Sequence, residues 1–227
     1  MEYVVIARAT SPRGELVLRE RRSERGPTSL ELRVNGIFVM DTVETDTEQT
    51  LATAGLAAVS NPQKVLVGGL GLGFTMHAVL GDSRVQRCRV VEIEEALVDW
   101  LRAGTVPHGP QFLADERVEV VVGDVAQVLT ETPASLYDVI LLDVDNGPDQ
   151  LVHEQNAGLY EEPFLRVARR ALRDGGALVI WSAAESRTLL DGLAAEFDTA
   201  EGNAYEVLLQ GRDEHYWLYL ARVASPE

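Results

Sequence analysis

Cysteine, positive charge and long apolar runs are all scarce in this chain. The lone Cys88 cannot close an internal disulfide, and no second thiol or histidine cluster suggests a closed zinc site. A disulfide scaffold is therefore excluded and a reducing cytoplasm is the expected location. His77, His108, His153 and His215 are scattered, so no metal ligands are assigned. Lysine and arginine total 20 against 36 acidic residues, a formal charge of -16. That field repels phosphate backbones and removes nucleic acid from the expected partners. It favours cationic ligands, although acidity also serves solubility alone. No segment approaches the ~20 apolar residues of a membrane span, and the opening MEYVVIARATSPRGELVL lacks a basic start followed by an apolar core, so neither membrane insertion nor secretion is expected.

What is present is enough chain, 227 residues, for one large core or a core with a small appendage. YVVIAR, GELVLRE, SLELRV and GIFVMD read as short strands separated by SPRG, RRSERGPT and the turn pair Asn35-Gly36, a small antiparallel β unit over residues 1–46. The period then changes. TEQTLATAGLAAV is built of helix formers and stops at SNP, which opens a main domain over residues 47–227. Strand-like runs at 65–69, 89–93, 118–123, 139–144 and 177–182 alternate with helical patterns, the signature of an α/β fold with a parallel sheet. In EEPFLRVARRALRDGG, Phe164, Val167, Ala168, Ala171 and Leu172 share a helical face and Gly175 follows its end, so these read as core. YEVLLQ and HYWLYLARV, joined by GRDE, read as a closing antiparallel hairpin.

The chemistry-bearing residues fall at strand ends. Val67-Gly68-Gly69-Leu70-Gly71-Leu72-Gly73 follows the first strand of the main domain and opens the helix FTMHAVL, so Gly69, Gly71 and Gly73 let the backbone approach a ligand at a helix N-terminus. Glu92 ends the second strand, with Ile93 beside it, where a carboxylate accepts both ribose hydroxyls of a nucleoside. Asp124 ends the third strand, where it either accepts the amino group of adenine, with Val125 covering the ring, or simply caps a helix. The fourth strand runs into Asp143, Asp145 and Asp149, with Asn146 among them; these three acids raise one another's pKa where a doubly wound sheet binds substrate. A nicotinamide site shares the glycine turn and the acidic strand end, but its spacing is G-x-G-x-x-G and it needs no such acids. A triphosphate loop would require a following Lys-Ser or Lys-Thr pair.

With these residues placed, the chain resembles the spermidine synthase family, the polyamine aminopropyltransferases. The resemblance is carried by N-G-I-F-V-M-D, K-V-L-V-G-G, V-E-I-E, V-V-G-D, Y-D-V-I-L-L-D, a G-P loop and L-Y in that order. It implies the Rossmann-like class I methyltransferase fold, with a mostly parallel seven-stranded sheet whose last strand is antiparallel. It also implies the cofactor S-adenosylmethionine or its decarboxylated form, and a homodimer through the N-terminal unit. Carried over by position, Glu92 holds the ribose, Asp124 the adenine, Gln49 the cofactor tail, Asp143 is the base, and Tyr160 lies near a small-molecule acceptor; the family's D-S-x-D-P is replaced by D-V-D-N-G-P, so its second acid has become Asn146 or shifted, with Asp145 or Asp149 in its place. The family's G-G-G-D-G-G has an aspartate where this chain has Gly71, and the family's tyrosine near Glu48 is missing. Losing that carboxylate removes the partner of an aminopropyl ammonium and a repulsive neighbour of a methionine carboxylate. Methyl transfer to a small cationic acceptor is thus the expected activity. Aminopropyl transfer is the alternative, and a non-catalytic nucleoside-binding relative the second alternative.

Overall fold

The computed structural model of the chain describes residues 2–22, 28–144, 146–151, 153–209 and 212–225. It begins with a four-stranded antiparallel sheet of β1 (Glu2–Ser11), β2 (Gly14–Arg22), β3 (Ser29–Val34) and β4 (Ile37–Asp41), paired in that order. Asn35 and Gly36 both take positive φ, 51° and 80°, which is the mirror-image turn whose twist matches a tight hairpin. Leu16, Leu18 and Leu32 of this sheet are buried in the same apolar cluster as Leu70, Leu72 and Met76, so the small sheet is packed onto the main one.

Then follow α1 (Asp46–Ala57), β5 (Lys64–Gly68), α2 (Phe74–Leu80), β6 (Arg87–Glu92), α3 (Glu95–Arg102), α4 (Gly109–Leu113), β7 (Val118–Val122), α5 (Val125–Glu131) and β8 (Tyr137–Leu142). A 3-10 turn at Glu154–Tyr160, α6 (Glu162–Ala171), β9 (Leu172–Ser182), α7 (Arg187–Glu196), β10 (Thr199–Leu209) and β11 (Arg212–Arg222) complete the chain. The large sheet has the order β10-β11-β9-β8-β5-β6-β7. β11 alone opposes the others, pairing antiparallel with both β9 and β10. This is the expected α/β architecture. β8 is buried along its whole length, as a central parallel strand covered on both faces must be. One apolar cluster lies under α1 to α3 and the other under α5 to α7.

Two local expectations are corrected. The sixth helix ends at Ala171, and β9 starts at once, at Leu172. Gly175, with φ of 74°, therefore serves an irregular opening of that strand, between the Tyr137–Leu172 and Val139–Ala177 pairs, and not a helix end. The closing hairpin is longer than expected, because Arg212 and Asp213 of the GRDE segment already belong to β11 and β10 reaches back to Thr199.

Candidate active site

The chain direction reverses its lateral order on either side of β5, between β6 and β8. Such a switch point leaves a crevice at the carboxyl ends of the strands, and a cavity of about 290 Å³ lies there. The strand order ranks its lining residues across the molecule. Asp124 follows β7, Glu92 ends β6, Gly69 follows β5, Asp143 follows β8, Trp181 ends β9, Tyr216 lies on β11 and Glu206 on β10. At about 4.8 Å per strand, roughly 10 Å separates the Glu92 and Asp143 strands. The small sheet roofs the crevice with Leu16, Leu32, Phe38 and Met40.

The glycine turn is shaped by contacts that leave no room for side chains. Gly69 has φ of 92°, and a Cβ there would stand 1.9 Å from the carbonyl oxygen of Asp143. Gly71 has φ of 51°, and its Cβ would meet the Met40 sulfur at 2.7 Å. Met40 occupies that place because its Sδ accepts from Leu72 N at 3.2 Å. Gly73 is the left-handed N-cap of α2; it faces Phe112 and Leu101 and does not line the cavity. Beneath the turn, His108 Nε2 contacts the Leu72 carbonyl at 2.7 Å.

Glu92 is buried, at 6% exposure, and accepts from Leu70 N at 2.9 Å and Glu94 N at 2.8 Å. Burial outweighs these hydrogen bonds and pushes its carboxyl above the ordinary range. Each carboxylate oxygen has a second lone pair, so the group can still accept two hydroxyls. Ile93 and Val125 line the cavity on either side of the β6–β7 boundary, with Val91 and Leu97 close by, an apolar slot suited to a flat ring. Asp124 lines the same end while its Oδ1 caps α5 by accepting from Ala126 N at 2.7 Å. The capping role is thus realised.

At the other end, Asp143 accepts from the Thr75 hydroxyl at 2.8 Å, and burial pushes its carboxyl upward. Glu48, at 7% exposure, lines the same cavity and accepts from the Thr47 hydroxyl at 2.9 Å. Burial, and then the charge of Asp143, lift it to about 7. Trp181 and Tyr216 meet edge to face, with ring centroids 4.8 Å apart. The Tyr216 phenol is raised to about 12, by burial and then by the carboxylates of Glu48, Glu214, Glu44 and Asp41, so it stays a proton donor. Arg13, from the β1–β2 turn, reaches across to Asn156 Oδ1 at 3.0 Å and lies 3.6 Å from Glu94 Oε1.

Several sequence-predicted residues fall elsewhere. Gln49 is exposed on α1 with its amide on Thr45 Oγ1 at 2.9 Å, outside the cavity lining. One residue along a helix is a turn of about 100°, so Gln49 points out where Glu48 points in. That choice was legible: Glu48, Leu51, Ala52, Gly55 and Leu56 form one buried helical stripe. Tyr160 is buried in the second apolar cluster; the 3-10 period of three presents His153, Asn156 and Leu159 to the cavity instead. Asp145 lies outside the described residues. Asp149 is exposed and does not line the crevice. Among the described residues, Asp143 of the 143–149 segment lines the cavity and is joined there by Asp41, Glu44, Asp46 and Glu48, residues far away in sequence. Asp138 belongs to the opposite edge, accepting from Gln63 N, Lys64 N and Arg173.

Among known proteins, the spermine/spermidine synthase domain matches residues 44–200. Putrescine N-methyltransferase 3 of Nicotiana tabacum is 35% identical over 133 residues, 58% of this chain and 32% of that protein. Spermidine synthase 1 of Pisum sativum is likewise 35% identical over 133 residues, 58% of this chain and 37% of the relative. The matches thus span about a third of the length of these curated relatives. A spermidine synthase solved in complex with the transition-state analogue AdoDATO superposes with a TM-score of 0.81 at 18% identity, over 98% of this chain and 74% of the other.

Proposed function

This chain belongs to the spermine/spermidine synthase family, and from that premise we propose that it is an S-adenosylmethionine-dependent transferase that methylates an amine of a small cationic acceptor. The observation that carries the choice of donor is Gly71. The position that bears an aspartate in the family pattern has no side chain here, and the Met40 sulfur takes its space. A thioether is a poor partner for the ammonium of a decarboxylated tail and tolerates a full methionine tail. The match to putrescine N-methyltransferases points the same way.

The residues fit the donor. Glu92 would accept the ribose hydroxyls, Ile93 and Val125 would cover the adenine, Asp124 would accept its amino group through the oxygen not engaged with Ala126, and the backbone at Gly69 and Gly71 would pass along the tail. When bound, the sulfonium supplies an already activated carbon. The chain must then orient the acceptor in line and hold its proton near Asp143. Trp181 and Tyr216 present aromatic faces and edges to a cationic acceptor at the same end.

Aminopropyl transfer from the decarboxylated donor is the second reading. It is favoured by Glu44 and Asp46 lining the cavity, acids that can replace the missing aspartate as partners of an ammonium. Calorimetric titration with S-adenosylmethionine, its decarboxylated form and methylthioadenosine tests both. Tight binding of the intact donor and weak binding of the decarboxylated one is expected. The reverse order favours aminopropyl transfer, and binding of none of the three overturns the cofactor assignment of Glu92 and Asp124.

A further inference from the structure

Glu48 entered the site unassigned, and its placement gives it a function. It stands in the first turn of α1 at 7% exposure, on the helix face that enters the core, and it lines the cavity together with Asp143. Each of the two carboxylates is oriented by one threonine hydroxyl, Thr47 for Glu48 and Thr75 for Asp143. Together they form a two-carboxylate wall beside the Trp181–Tyr216 corner. Among the described residues Arg13 is the one arginine lining the cavity, and it lies with Glu94 and Asn156, while Arg21 of β2 pairs with Asp41 at 3.4 Å.

We propose that Glu48, with Asp143 as its partner, is the proton acceptor for the acceptor amine, a role that rests on the transferase reading above. The acceptor enters as an ammonium ion and gives one N–H proton to the carboxylate pair. The freed nitrogen lone pair forms the new C–N bond while the C–S bond of the sulfonium breaks, its electron pair passing to sulfur. The product leaves as the alkylated ammonium, and the carboxylate pair returns its proton to water. The proton step is the same for a methyl or an aminopropyl donor.

Chemistry explains why Glu48 suits the task. An alkylamine holds its proton far more tightly than an ordinary carboxylate. Lifting Glu48 from 4.5 to about 7 raises its proton affinity on the order of 10²-fold. Burial, and then the charges of Asp143 and Asp41, keep it there. Asp143 follows β8, Asp41 ends β4, and Glu44 and Asp46 stand at the head of α1. Glu206 on β10 and Tyr216 on β11 line the same cavity, and Glu214 of β11 acts on Tyr216. A positively charged acceptor offsets the Asp143 charge, so its binding expels the proton that Glu48 shares in solution near neutrality, while burial, the larger cause, still keeps the carboxyl above the ordinary range.

The test compares wild type with Glu48→Gln by infrared titration of protonated carboxyl groups, by calorimetry with putrescine as probe in buffers of different ionisation enthalpy, and by transfer rate to putrescine. Expected is a carboxyl titrating near neutrality in the wild type and missing in Glu48→Gln, proton release on putrescine binding that the variant loses, and unchanged S-adenosylmethionine affinity. The transfer rate should fall at least 100-fold at pH 7 and recover as pH approaches the pKa of the amine. A variant that transfers within a few-fold of wild type with the same pH profile overturns the role. If the variant does not bind donor, a wild-type comparison decides: a weakly basic amine, neutral at pH 7, should lose the acidic limb of the rate profile, and an unchanged limb overturns the role. Absence of donor binding in the wild type would instead strike the transferase reading, while the infrared titration still reports on Glu48.

Discussion

At the scale of single residues, the site depends on what is missing as much as on what is present. Gly71 lies at φ of 51° with the Met40 sulfur 2.7 Å from its would-be Cβ. Gly71→Asp alone therefore introduces a carboxylate into occupied space, although Asp is among the residues that best tolerate this backbone region. Met40→Ala with Gly71→Asp supplies both the room and the charge. The double variant should shift the affinity ratio toward decarboxylated S-adenosylmethionine by at least tenfold, measured by calorimetry. An unchanged ratio would place the donor tail away from position 71. Cys88 illustrates the converse. Burial pushes its thiol up to about 12, so the chain's lone cysteine is packing and not a nucleophile.

At the scale of elements, the connection between β5 and α2 is tightly constrained. It joins the switch-point strand to a helix while Gly69 N bonds the Val91 carbonyl at 2.9 Å and Asp143 N bonds the Gly68 carbonyl at 2.8 Å. Gly69→Ala drives a methyl group into the Asp143 carbonyl at a positive φ, so the turn must open. Loss of measurable donor binding and a lower melting temperature are expected, checked by calorimetry and thermal denaturation; a variant that binds as wild type would show that the turn is more plastic than its geometry. The β5–α2 unit was legible in the residues, because a short apolar run followed by G-G-x-G-x-G and a helical pattern admits few other structures. α4 and the 3-10 turn were not, since five- and seven-residue segments carry too little periodicity to separate from loop.

At the scale of the whole molecule, stability and function pull against each other through the buried acids. Burial, and then the charge of Asp143, lift Glu48 to about 7 in the fold from an ordinary 4.5. Between those values the folded protein holds a proton the unfolded chain has lost, and stability falls as pH rises through that window. Glu48→Gln should therefore be more stable than wild type by on the order of 2–3 kcal/mol at pH 8, with the difference fading toward pH 4. Denaturant unfolding at pH 4, 6 and 8 measures it. A pH-independent difference would mean that the carboxyl is not raised. Glu92 and Asp143 are shifted in the same direction by burial. Such a pattern is expected of a site that keeps charge for chemistry. Among the described residues no helix is long and apolar enough to cross a membrane.

The amino-acid order by itself determined the alternation of strands and helices, the glycine turn and the strand-end positions of Glu92, Asp124 and Asp143, because hydrophobic period and turn chemistry are local properties. Which acids face one another was decided only by tertiary structure. Asp41, Glu44, Glu48 and Tyr216 come from opposite ends of the chain and meet because β11 inserts beside β9 while the small sheet closes over the crevice. Burial, and with it the raised carboxyl of Glu48, is a property of that closure, since a charge loses its water only when distant segments pack around it.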